Sequence, residues 1–167
     1  VGIRYGLSGR RNPYGIICGH FDSYAASNAP GADDNASGAT SALEACRVMQ
    51  GFQFQHDLRF ICFSGEEFGL YGSEYYAAQA HSRGDTIVGV LNYDMIAYED
   101  AAPEDLNVIG KISNPPCGPF VDWFIAIADT YTTLPCYKDM VDDMQSSDQG
   151  PFWNNGYLAL TGIEDFW

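Results

Sequence analysis

Ile16-Ile17-Cys18-Gly19-His20-Phe21-Asp22 sets a short apolar run directly before an imidazole and a carboxylate. The run reads as a buried strand with His20 and Asp22 at its C-terminal tip. The same figure recurs twice: residues 58–63 form an apolar run ending at Ser64-Gly65-Glu66-Glu67, and residues 87–93 form one ending at Asp94. In an open α/β sheet the crevice beyond the carboxyl ends of the strands is where ligands bind. One polar residue at a strand end is commonplace. Three apolar strands in succession, each delivering a metal-ligand side chain to that edge, are not.

Working outward, residues 28–38 form a loop of Gly, Ala, Asp and Asn. A helix is expected over 38–50, with Ala39, Leu43, Cys46 and Met49 facing a core. Residues 69–80 look helical, and 121–131 repeat the pattern with Phe124, Ile125, Ala128 and Tyr131. Residues 106–109 and 157–163 read as further strands, and 138–151 as a polar, irregular segment. Strand and helix signals alternate. The expected class is therefore α/β, a three-layer domain over residues 1–167 whose mostly parallel, mixed sheet carries helices on both faces.

With 167 residues the chain is one domain's worth. Eight basic residues against 22 acidic ones give a formal charge of -14. Such a surface repels nucleic-acid phosphates and anionic membranes, so neither is an expected partner. No stretch is long enough to span a bilayer. The five cysteines form no CxxC. Cys18, Cys46 and Cys62 read as buried thiols, while Cys117 and Cys136 flank a helix and are placed to pair in an oxidising compartment. Oligomeric state stays open.

The candidate ligands are His20, Asp22, Asp33, Asp34, Glu66, Glu67, Asp94, Asp148 and Gln149. Zinc takes imidazole nitrogen and carboxylate oxygen, and a two-zinc site asks for a bridging carboxylate and a spare one to take a proton from water. Asp33-Asp34-Asn35 also suits a turn, with Asn35 or Ser37 capping the next helix while Asp34 points to the metals. An unpaired carboxylate at Asp94, just after a buried strand, would be costly unless it is a ligand. His56 and His81 read as surface residues; Phe152, Trp153 and Tyr157 either line a pocket or pack the core. Gln149 reads as a ligand, a donor behind the ligands or a spacer.

Five motifs resemble the co-catalytic zinc aminopeptidases of the MH peptidase clan, which include bacterial leucyl aminopeptidases. They are Gly19-His20-Phe21-Asp22-Ser23; Pro30-Gly31-Ala32-Asp33-Asp34-Asn35-Ala36-Ser37-Gly38; Gly65-Glu66-Glu67-Phe68-Gly69-Leu70; Asn92-Tyr93-Asp94-Met95; and Ser147-Asp148-Gln149 with Pro151-Phe152. The resemblance implies that His20 and Asp94 bind a first zinc, that Asp34 bridges, and that Glu67 and Gln149 hold a second. It implies Glu66 as general base and Asp22 as the group fixing the His20 ring. At Gln149 the family is expected to carry histidine. An amide oxygen is a weaker zinc donor, so of two expected sites the second is expected to be weak or empty.

The implied activity is hydrolysis of the N-terminal bond of a peptide with a free α-amine. A catalytically impaired homologue that binds other molecules is the alternative, and a glutaminyl cyclase of the same fold is a weaker one. Members of the resembled aminopeptidase family carry helical material before the first strands and usually a terminal helix after the last, so the expectation is either a minimal version or a domain trimmed at both ends, the latter leaving sheet surface exposed. The resemblance, the low lysine content and the acidic surface point to a secreted or periplasmic protein.

Overall fold

The computed structural model describes residues 1–9, 13–98, 102–143 and 146–164. Its elements in chain order are β1 (Gly2–Arg4), β2 (Tyr14–His20), α1 (Ala36–Val48) with a 3-10 turn (Met49–Gly51), β3 (Asp57–Phe63), α2 (Tyr71–Ser82) and β4 (Ile87–Tyr93). There follow β5 (Leu106–Lys111), α3 (Cys117–Tyr131), β6 (Cys136–Val141), α4 (Gln149–Asn154) and β7 (Ala159–Ile163). One sheet runs β1-β3-β2-β4-β7-β5-β6. Strands β3, β2, β4 and β7 are parallel neighbours. β1 pairs antiparallel with β3, and β5, itself parallel to β6, pairs antiparallel with β7. The sheet is mixed and mostly parallel, as the alternation of patterns requires.

Strand β2 is buried at every position, which explains its unbroken apolar run. On one face α2 and α4 cover it: Ile16, Cys18, Ile61, Phe63 and Val90 pack with Ala77, Ala80, Phe152 and Trp153. On the other, α1 packs Ala42 against Ile17 and Phe60, and α3 packs Val121 against Leu106, Val108 and Leu160. Phe152 and Trp153 are therefore core residues. Between α1 and α3 the sheet is not covered, and Leu58, Val88, Leu91, Met49, Phe120 and Trp123 line an apolar groove of about 410 Å³.

Several details differ from the sequence pattern. Residues 138–151 are not one irregular segment: β6 occupies the start and α4 the end, with 144–145 outside the described residues. As a sheet edge β6 is half exposed and carries Lys138 and Asp139, so it shows no apolar alternation. Leu43 points to solvent because α1 buries the small stripe Gly38, Ala39 and Ala42 instead. Gly19 and Gly38 permit this close seat: a Cβ on Gly19 would lie 2.7 Å from Gly38 C, and one on Gly38 would overlap the Tyr93 carbonyl. Tyr131, at the last turn of α3, is also exposed. Cys18 is buried, but Cys46 and Cys62 are only half-buried, because they lie at the rim of the α1 interface. All five thiols are free; Cys117 and Cys136 each donate to a backbone carbonyl, of Ala159 and Leu134. His81 is exposed and His56 half-buried. No helix among the described residues is long and apolar enough to cross a membrane.

Candidate metal centre

His20 ends β2 and is 1% exposed. Its Nδ1 lies 3.0 Å from the carbonyl oxygen of Asp22, which can only accept, so Nδ1 carries the proton. In the neutral ring Nε2 then presents a lone pair. That lone pair faces Asp34 Oδ1 at 3.2 Å, Asp94 Oδ1 at 3.3 Å and Glu66 Oε2 at 3.9 Å. One donor atom each from His20, Glu66 and Asp94 fall within 4.8 Å of one another. Lone pairs converge on lone pairs, so the arrangement needs a cation or extra protons between them.

Each carboxylate is held from behind. Asp94 follows β4; its N–H donates to Gly162 O (3.1 Å), and its Oδ2 accepts from Ser147 Oγ (2.6 Å). Glu66 and Glu67 occupy a turn after β3 that is closed by Gly69 and Leu70 N–H groups donating to Glu66 O, each at 2.9 Å. The Asp22 carboxylate grips this turn, accepting from the N–H groups of Glu66 (3.2 Å) and Glu67 (3.3 Å). Asp22 thus orients the His20 ring through its backbone carbonyl and fixes the glutamates through its side chain. Asp34 sits in the loop before α1, followed by a cis peptide bond to Asn35. Asn35 is the N-cap, accepting from Gly38 N at 2.8 Å, and its amide donates to Tyr93 O at 3.0 Å. The loop is thereby tied to the end of β4, next to Asp94. Asp33 turns away and accepts from Ala97 N (2.9 Å).

The proton affinities register this crowding. Burial lowers that of His20, but the Asp94 hydrogen bond and the charges of Asp94 and Glu66 outweigh it and lift the ring to about 9. Burial, with Asp94, Asp148 and Glu67 adding and His20 opposing, lifts Glu66 to about 8. Burial and the nearby Asp94 and Glu67 also raise Asp34. Among the described residues the ion pairs of these carboxylates all run to His20. One imidazole and several oxygen donors, short of positive charge, fit a divalent metal such as zinc.

The model of "Peptidase family M28" matches residues 4–166. The chain belongs to this family. A "Probable leucine aminopeptidase" of Arthroderma otae is 31% identical over 165 residues, covering 93% of this chain and 44% of the relative. An aminopeptidase from Aneurinibacillus sp. strain AM-1 shares 29% identity at a TM-score of 0.71, over 98% of this chain and 38% of that one. BSAP, a zinc aminopeptidase from Bacillus subtilis, shares 26% at 0.72, over 98% and 39%. The chain thus spans about two fifths of the length of these relatives.

In this M28 chain the expected ligands are not all brought together. His20, Glu66, Asp94 and Asp34 converge. Glu67 is adjacent but turns its Oε1 to Tyr24 N (2.9 Å). Gln149 is fully buried at the start of α4, and its amide oxygen accepts from Asn92 Nδ2 at 3.3 Å. The contact to that oxygen is the longest of three from Asn92 Nδ2, in the layer that also holds Ser147, the donor to Asp94. Asn92 also donates to Ser147 Oγ (2.9 Å) and Thr161 Oγ1 (3.1 Å), so Gln149, Asn92, Thr161 and Ser147 form a buried polar layer under the ligand. Asp148 is fully buried, and burial, opposed in part by the Ser73 hydroxyl and the His20 charge, pushes it up to about 6. Ser147 and Asn92 support Asp94 and its surroundings through hydrogen bonds that the residue order does not disclose. The signal for Asn92 was an amide inside an otherwise apolar strand.

Proposed function

We propose that the chain is the catalytic domain, in whole or in part, of a zinc exopeptidase that removes the N-terminal residue of peptides. The observation that carries this is the His20 lone pair turned on three carboxylates by the Asp22 carbonyl. His20 and Asp94 would hold a first zinc, with Asp34 shared between it and a second site to which Glu67 would contribute. With the Gln149 oxygen turned to Asn92, the second site would be the weaker.

Bound zinc supplies a Lewis acid for the scissile carbonyl and lowers the pKa of the attacking water. Glu66 is the base. It is held beside the ligands by the Asp22 clamp, with its side chain largely shielded from water. It takes a proton as the water oxygen bonds to the carbonyl carbon, and delivers it to the amine nitrogen as the C–N bond breaks. The crowded, half-buried carboxylates at this edge give it the negative charge that a substrate's free α-ammonium group would seek, which would restrict cleavage to chain ends. The acidic surface and the scarcity of lysine fit a secreted or periplasmic enzyme.

The test is zinc per chain, measured with hydrolysis of leucine p-nitroanilide in the presence and absence of added zinc. At least one tightly bound zinc and metal-dependent release of leucine are expected. A folded chain that binds zinc but never releases an amino acid overturns the reading in favour of an impaired homologue. Cyclisation of a glutaminyl peptide without release of an amino acid overturns it in favour of a cyclase.

A further inference from the structure

We infer that Tyr24 and Phe68 form the subsite for the residue on the leaving side of the scissile bond, selecting peptides whose second residue is apolar or aromatic. The two rings meet edge to face, with centroids 5.6 Å apart and planes at 77°. They are 62% and 60% exposed and lie outside the core clusters. Phe152 and Trp153, the aromatics that the sequence offered as pocket candidates, are buried.

Both rings are fastened to the turn that carries the base. Phe68 lies two residues after Glu66, inside the turn closed on the Glu66 carbonyl. Tyr24 is tied to it by its backbone N–H, which donates to Glu67 Oε1 at 2.9 Å. The inference rests on the peptidase reading above, in which Glu66 hands its proton to the departing nitrogen. That nitrogen must come within hydrogen-bond reach of Glu66. The α-carbon of the second substrate residue is bonded to the same nitrogen, so its side chain emerges on the side of this turn. An edge-to-face aromatic pair there is a ready-made apolar wall, and covering it with an apolar side chain removes area from water on both partners.

The measurement is the ratio of kcat/KM for Leu-Phe over Leu-Gly, in the zinc-loaded full chain and in Phe68→Ala and Tyr24→Ala. Tyr24→Ala keeps the backbone hydrogen bond to Glu67, so it removes only the ring. The unaltered chain favours Leu-Phe, and each substitution cuts the ratio by about tenfold. A ratio that survives both substitutions overturns the inference. So does a loss that instead follows the first residue, read with Phe-Gly against Ala-Gly. Calorimetric binding of the reduced-bond analogues of Leu-Phe and Leu-Gly reads the same preference without turnover. A chain that cleaves neither dipeptide but binds the aromatic analogue more tightly through these rings loses the peptidase reading and keeps the subsite. Equal binding of the two analogues removes the subsite, whatever the turnover.

Discussion

The two halves of the sheet are built alike and used differently. Strands β2, β3, β4 and β7 run parallel, and the first three end at one edge in His20, the Glu66–Glu67 turn and Asp94. Strands β5 and β6 run the opposite way, with interiors as deeply buried at Leu106, Val108 and Ile109. Their C-terminal ends lie at the far edge, and they carry both lysines of the chain, Lys111 and Lys138. Chemistry here follows strand direction rather than membership of the sheet. The parallel half concentrates like charges that a cation or extra protons must relieve, and the reversed half, whose strand ends face the other way, brings no such cluster together among the described residues.

The largest break in this comparison comes from Glu66→Gln. It removes the proton acceptor while keeping the size and the backbone clamp to Asp22. Turnover of leucine p-nitroanilide falls by about 10²–10⁴ with zinc per chain unchanged. An unchanged rate would remove Glu66 from the chemistry. In the reversed half, Ile109→Ala empties a fully buried site. Urea unfolding should show a loss of about 2–5 kcal/mol, with zinc affinity of the folded chain retained. A parallel loss of metal affinity would show that the two halves are coupled after all.

A smaller effect is expected beneath the ligands. Ser147→Ala deletes the 2.6 Å donor to Asp94 Oδ2 and leaves Asn92 with one fewer partner. Zinc affinity, read by competition with a chromophoric chelator, should drop by about 10–100-fold. Ser147→Thr, which keeps the hydroxyl, should recover most of it.

This layer also marks the limit of what the residue order discloses. His20, Glu66 and Asp94 were legible because a strand end is a local event: an apolar run stops and a ligand follows. Asn35 as one of two cap candidates, and Asp34 as a side chain turned toward His20, were legible because a loop running into a helix is also a local event. The contact of Ser147 with Asp94 joins residues 53 apart, from the segment before α4 to the end of β4, which no window of sequence contains. The amide of Gln149 was set among the ligands by motif order, whereas its direction is decided by Asn92 across the core. β6 is not legible because half-exposed edge strands lack alternation, and Leu43, expected to face the core, points to solvent because the small stripe Gly38, Ala39 and Ala42 takes the buried seat.

Charge crowding at the parallel edge should also appear as a pH dependence of the metal-free chain. Glu66 near 8, Asp148 near 6 and His20 near 9 all hold protons more tightly folded than their ordinary values of 4.5, 3.8 and 6.5. Between pH 5 and 9 the native state therefore binds more protons than the unfolded one, and stability falls as pH rises. In chelator the Tm should decline across this window, and added zinc should flatten the decline by taking the place of the protons. A Tm that rises from pH 5 to 9 in chelator would contradict the proton affinities assigned to the site.

The smallest effect belongs to the other half's own charges. Lys138 Nζ lies 2.7 Å from Asp122 Oδ1 across the surface between β6 and α3, and also donates to Gly118 O at 3.3 Å. Both side chains are substantially exposed, so solvent screens the pair, and Lys138→Ala should cost about 0.2–1 kcal/mol in urea unfolding. Zinc affinity and the rate on leucine p-nitroanilide should not move, because the pair lies in the half of the sheet whose strands point away from the site. At an edge strand, however, lysine also discourages pairing with a second sheet. Loss of Lys138 should therefore also show in light scattering at high protein concentration and at temperatures well below the Tm, and a variant that stays monodisperse would assign the lysine to the ion pair alone.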